Sequence, residues 1–216
     1  MFFRRPLKYL HIISFVALFS CNKTNFQYDN ILLDEEQIYI VYRGTKTKLG
    51  NIARDFNLKD KFSSHVGFLI FKNNTWLVYH VLDENDNQSD LRIHKMKDFL
   101  DINKERVFYT SLWKINTSSS TETNTIRKCI LGYEGLKIVF NKNFSTNEPN
   151  RLYCSEFIVK VLRKSDTLKY KFEKSKRKLT GVFKSYLGRD TLSYYPVDIF
   201  QDNKKFIFLK EWKLKK

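Results

Sequence analysis

At 216 residues, with 42% hydrophobic and 16% aromatic side chains, the chain has enough apolar surface for one domain of ordinary size. Seven Gly, three Pro and no fixed-period repeat argue against repeat architectures. A net charge of +16 points to anionic partners, and the three Cys form no Cys-x-x-Cys pair, so neither metal nor cofactor is expected.

The first twenty residues carry Arg4, Arg5 and Lys8 ahead of an apolar run from Leu10 to Phe19, and no acid occurs before Asp29. This is a signal-peptide layout, too short for a comfortable permanent span. The run ends in "LFSC", which resembles the lipobox of bacterial lipoproteins. That resemblance implies cleavage after residue 20, lipidation of Cys21, a tether over 21–33, a folded domain over 34–216, and a place in the cell envelope as a membrane lipoprotein. The competing expectation is an ordinary secretory signal or a membrane-tethering segment.

Beyond the leader, "QIYIVY" (37–42) predicts a strand and "KLGNIARDF" a short helix. "HVGFLIF" and "TWLVYHVL" predict two strands joined across "KNN", a hairpin signal. His94, in the charged segment "RIHKMKD", is expected at the surface. "VFYTSLWKI" (107–115) alternates as a further strand. Within "NTSSSTETNT", Ser119 and Glu122 form a capping-box pattern, followed at helical spacing by Ile126, Cys129, Ile130 and Tyr133. Cys129 therefore falls on a buried helical stripe.

"NRLYCSEFIVKVL" (150–162) places Cys154 at the start of a second helix whose apolar face is Phe157, Ile158, Val161 and Leu162. Unpaired N–H groups in a first helical turn favour a thiolate, so a lowered Cys154 pKa is expected. Between Arg163 and Lys178, eight Lys or Arg face only Asp166 and Glu173. In an exported protein this run suits anionic lipid headgroups or wall polymers better than nucleic acid, and a solvated lysine-rich face is its plainest meaning. "KFIFLKEWKL" predicts a last strand. Strands and helices in this order give an α+β domain with an antiparallel or mixed sheet and a few helices.

A nucleophilic cysteine needs a base, and the base needs an orienting partner. Of four His, His11 leaves with the leader. His65 starts one hairpin strand and His80 nears the end of the other, so antiparallel pairing brings both to one end of the hairpin.

"SSHVGFLIF", "VYHVLD" and "LYCSEFIVKVL", in this order, resemble the YiiX-like branch of the circularly permuted NlpC-type, papain-fold cysteine hydrolases. The segments "IYIVYRGTKTKLGNIARDF", "GYEGLKIVFN" and "YYPVDIF" also fit that pattern. The resemblance implies Cys154 as nucleophile, His65 as base and His80 as third member, where many permuted relatives have Glu. Tyr153 would steady the site or support an oxyanion, and Ser155 and Glu156 complete the motif. A disulfide from Cys129 to Cys154 would consume the nucleophile, so both thiols are expected free. The implied activity is hydrolysis of amide bonds in peptidoglycan peptides. Alternatives are an acyltransferase or lipase acting on lipid esters or thioesters, and a catalytically silent lipid-anchored binding protein.

Overall fold

The computed structural model describes residues 31–83, 89–100, 107–144, 148–202 and 204–213. The leader and Cys21 lie outside the described residues. The architecture is α+β: a six-stranded sheet whose strands lie in the order Phe206–Lys213, Val107–Ile115, Tyr39–Thr45, His65–Lys72, Thr75–Val81, Leu91–Lys95, with every neighbouring pair antiparallel.

The central strand β1 (Tyr39–Thr45) is buried at all seven positions. It starts two residues later than the sequence pattern suggests, because the Gln37 N–H closes a turn onto the Asp34 carbonyl at 3.0 Å. It also runs on through Arg43, which no apolar pattern marks as interior. Helix α1 (Lys48–Asp55) follows, capped by Thr47 Oγ1, which accepts from the Gly50 N–H at 3.0 Å.

Strands β2 (His65–Lys72) and β3 (Thr75–Val81) form the expected hairpin. Its turn residues Asn73 and Asn74 have φ of 50° and 57°. Two left-handed residues in a row match the right-handed strand twist, and Asn tolerates that region. Next come β4 (Leu91–Lys95) and the short helix α2 (Met96–Phe99). In β4, polar side chains on an edge strand hide the alternation from a composition-based reading.

Strand β5 (Val107–Ile115) has the predicted bounds. Ser119 caps α3 (Ser120–Leu131), accepting from the Glu122 N–H at 3.2 Å. The Glu122 carboxylate reaches the Ser118 N–H at 2.7 Å, one residue earlier than a standard capping box. Burial opposes its charge, but bonds from Lys169, Ser118 and Tyr170 hold the carboxyl down to about 2.

Two short parallel strands, β6 (Val139–Phe140) and β7 (Arg151–Leu152), lead into α4 (Cys154–Ser165). This helix is amphipathic as expected, and its Phe157 ring meets Phe68 of β2 at 5.7 Å and Tyr133 at 5.2 Å. One continuous core joins the sheet to α3 and α4. The basic run ends α4, turns at Asp166 and enters β8 (Ser175–Lys178), which pairs antiparallel with β9 (Thr191–Tyr194) around α5 (Gly181–Leu187). A 3-10 turn (Val197–Phe200) and β10 (Phe206–Lys213) close the domain. Among the described residues, no helix is long and apolar enough to cross a membrane.

Candidate active site

Cys154 is the first residue of α4, where backbone N–H groups lack helical partners. Both residues beside it are fastened to the main chain of one residue, Tyr195. Tyr153 OH accepts from the Tyr195 N–H at 2.8 Å, and Ser155 Oγ donates to the Tyr195 carbonyl at 2.6 Å. Tyr153 is therefore a tie between helix and closing ribbon. Burial pushes its phenol far above the ordinary range. Glu156, also buried, has its carboxyl raised by burial, with Lys160 Nζ 3.6 Å away.

The backbone N–H groups of Val66, Ser155 and Cys154 itself favour the thiolate of Cys154. Val66 is the residue after His65 in β2. A thiolate is not the resting state. Burial pushes the thiol up to about 11, and the three N–H groups and Arg43 only partly oppose this. The sequence argument counted the helix terminus and omitted desolvation, which here is larger. Cys129 and Cys154 are both free and buried, as expected.

The histidines form a row. His65 Nε2 meets His80 Nδ1 at 2.8 Å, and His80 Nε2 meets His94 Nδ1 at 3.0 Å. Strand pairing explains why: β4 lies beside β3 with Val78 opposite His94 and His80 opposite Arg92. His94 is thus half-buried and engaged, not simply a surface residue, and period-2 spacing within "LRIHK" was the available signal.

Gly67 makes room for the row. A Cβ there would stand 2.7 Å from Val78 Cγ1, 3.0 Å from the Tyr79 carbonyl oxygen and 3.1 Å from His80 Cβ. Phe99 of α2 supports the row from the side, edge-on to His80 at 4.9 Å and tilted on His65 at 5.9 Å. Arg43, opposite His65 in the register, stacks its guanidinium 4.6 Å from the Phe99 ring and donates to the Phe99 carbonyl at 3.2 Å. Sequence reasoning missed Arg43 and Phe99; a lone Arg amid a hydrophobic strand was the clue to the first.

Burial depresses both His65 and His80 well below 6.5, joined by the charge of Arg43 at His65 and by His65 and then Arg43 at His80. Both rings are therefore neutral near pH 7. The unfolded chain takes up these protons near pH 6.5 and the folded chain only at lower pH, so stability is full above about 6.5. Below it, each ring should remove up to about 1.4 kcal/mol per pH unit until its folded pKa is reached. Urea melts from about pH 7 to about pH 5 should show this loss; a flat stability over that range would contradict neutral buried rings.

The loop entering His65 is pinned from the far end of the chain. Asp198 accepts from the N–H groups of Leu58 at 3.1 Å, Lys59 at 2.7 Å and Asp60 at 3.0 Å. Asn57 Nδ2 donates to the Ser63 carbonyl at 2.7 Å, and Ser64 Oγ accepts from the Thr45 N–H at 3.1 Å. Asp198→Asn turns an amide NH2 toward N–H donors, so it should cost roughly 1.5 to 3 kcal/mol in denaturant melts. An unchanged midpoint would show that the loop is held otherwise.

No protein-family profile matches the chain, and no curated protein matches it. A solved structure, that of metalloprotein YiiX from Escherichia coli O157:H7, is similar at 15% identity with a TM-score of 0.58, over 82% of this chain and 97% of that chain. The chain thus has a YiiX-like, papain-like α+β fold.

Proposed function

We propose that the chain is a cysteine hydrolase of the permuted NlpC-type class, cleaving amide bonds in peptidoglycan peptides at the cell envelope. The observation that carries this is Cys154 at the N-terminus of a helix that packs on β2, the strand that begins with a neutral His65 whose Nε2 is held by His80 at 2.8 Å. His65 Nε2 being engaged, Nδ1 is its nitrogen for the thiol.

A thiol raised to about 11 favours proton transfer concerted with attack over a standing ion pair. His65 Nδ1 takes the thiol proton as Sγ bonds to the carbonyl carbon, and the carbonyl π pair moves onto oxygen. First-turn N–H groups are the nearest donors for that oxyanion. Collapse breaks the C–N bond as His65 gives its proton to the leaving amine. Water then adds to the thioester with His65 as base, releasing the acid and the thiol. Arg43, beside the row, disfavours a resting imidazolium and so keeps His65 a base.

YiiX is described as a metalloprotein. A metal site needs lone pairs converging on one point at about 2.0 to 2.1 Å from each nitrogen. Here His65 Nε2, both nitrogens of His80 and His94 Nδ1 are turned on one another in a line and do not converge on a common point. Among the described residues no group of three or more His, Cys, Asp or Glu could hold an ion. The described residues do not fit a metal, and no step runs through one.

Lipidation of Cys21 would hold the enzyme at the membrane, and the exposed basic residues of β8 would favour anionic surfaces. An acyl ester or thioester of a membrane lipid is the rival substrate on the same machinery. Mass spectrometry of muropeptides and of membrane lipids, each incubated with the protein and with Cys154→Ala, tests the proposal. Cysteine-dependent amide cleavage supports it; cysteine-dependent deacylation of lipid alone transfers the chemistry to the rival, and no product in either defeats it.

A further inference from the structure

A neutral imidazole has one N–H and one lone pair, so with His65 and His80 neutral the two hydrogen bonds of the row can be ordered in only two ways. His80 uses Nδ1 toward His65 and Nε2 toward His94. If the proton of His80 is on Nε2, it donates to His94 and accepts at Nδ1 from His65 Nε2–H. The lone pair of His65 is then on Nδ1, where a base needs it. If the proton is on Nδ1, His80 donates to His65 Nε2, and His65 must carry its own proton on Nδ1. That tautomer cannot take a proton from a thiol.

We infer that His94 is a positioning residue: by accepting from His80 Nε2–H at its Nδ1, 3.0 Å away, it sets the tautomer of His65. The inference rests on the hydrolase proposal and adds a fourth member to it. His94 sits on edge strand β4, half-buried, at the outer end of the row. Besides the rings themselves, the charged groups acting on the row are Arg43 of β1 and Arg92 of β4, both cationic; neither can accept a proton, so neither replaces His94 as acceptor. Phe99 fills the side of the row with an apolar ring. During attack the new proton on His65 makes the ring cationic, and the same direction of donation, His65 to His80 to His94, then stabilises that charge without any group having to rotate.

The test compares His94→Leu, which removes the acceptor, with His94→Asp, which keeps an acceptor and cannot donate. Each variant, in the full chain, is alkylated with iodoacetamide from about pH 6 to about pH 10 and Cys154 is followed by mass mapping, beside turnover of muropeptides. His94→Leu should slow both about tenfold near neutral pH, a modest part of what general-base catalysis contributes, while His94→Asp retains most of the rate. Thermal melts check that both variants are folded. An unchanged profile in His94→Leu overturns the inference, and so does an equal loss in both variants, which is a packing effect. His65→Ala in the same series separates the two levels. If Cys154 reactivity ignores His65, the hydrolase proposal itself falls; if it follows His65 but not position 94, only this inference does.

Discussion

Cys154→Ala should abolish turnover and leave the protein folded. Removing the nucleophile from a site of this kind costs on the order of 10,000-fold or more, because the acyl-enzyme route is lost altogether. Losing one buried sulfur removes little volume, so the fold should lose only about 1 to 2 kcal/mol. His65→Ala should be nearly as damaging near pH 7 but differ in its pH dependence. With the thiol at about 11, raising the pH generates thiolate without a base, so the variant should regain rate as pH climbs toward that value. Turnover by Cys154→Ala at the parent rate would place the chemistry elsewhere, and a His65→Ala profile parallel to that of the parent would deny His65 the proton.

The second large effect is expected at a residue that touches no reacting atom. Gly67→Ala puts a methyl 2.7 Å from Val78 Cγ1 and 3.0 Å from the Tyr79 carbonyl oxygen. The backbone oxygen cannot step aside as a flexible side chain would, so β3 must move away from β2. Overpacking of this kind costs roughly 1 to 3 kcal/mol. It also carries His80 with β3, lengthening the 2.8 Å bond that orients His65. Turnover should therefore fall about 100-fold, as expected when a positioning contact slips by an ångström. Chemical denaturation and steady-state rates measure the two losses separately. A stable, fully active Gly67→Ala would mean the hairpin accommodates the methyl and that the row tolerates displacement.

The hairpin and α4 were the most legible parts of the sequence because their signals are local. Two Asn in the turn, period-2 apolar residues on either side and Cys154 ahead of Phe157, Ile158, Val161 and Leu162 each specify structure within a few residues. His65 and His80 follow from the hairpin register alone. Contributions from distant chain segments were not legible. Arg43 reads as the polar end of a strand until β2 and α2 close over it, and Asp198 binds a loop 138 to 140 residues away. The state of the Cys154 thiol failed for the same reason: helix position is visible in sequence, whereas burial under the sheet depends on how the whole domain packs. His94 was hidden in an edge strand where Ile93 and Lys95, the exposed residues on either side of it, break the usual polar-out pattern.

The fastening of α4 to Tyr195 has an evolutionary consequence. Tyr153 and Ser155 grip the main-chain N–H and carbonyl of that residue, and every amino acid except proline offers both groups. Position 195 can therefore drift, within the space available to its side chain, without releasing the helix that carries the cysteine. A joint of this kind leaves no mark in an alignment column. Substitutions there can accumulate while the helix carrying Cys154 keeps its place against the rest of the domain.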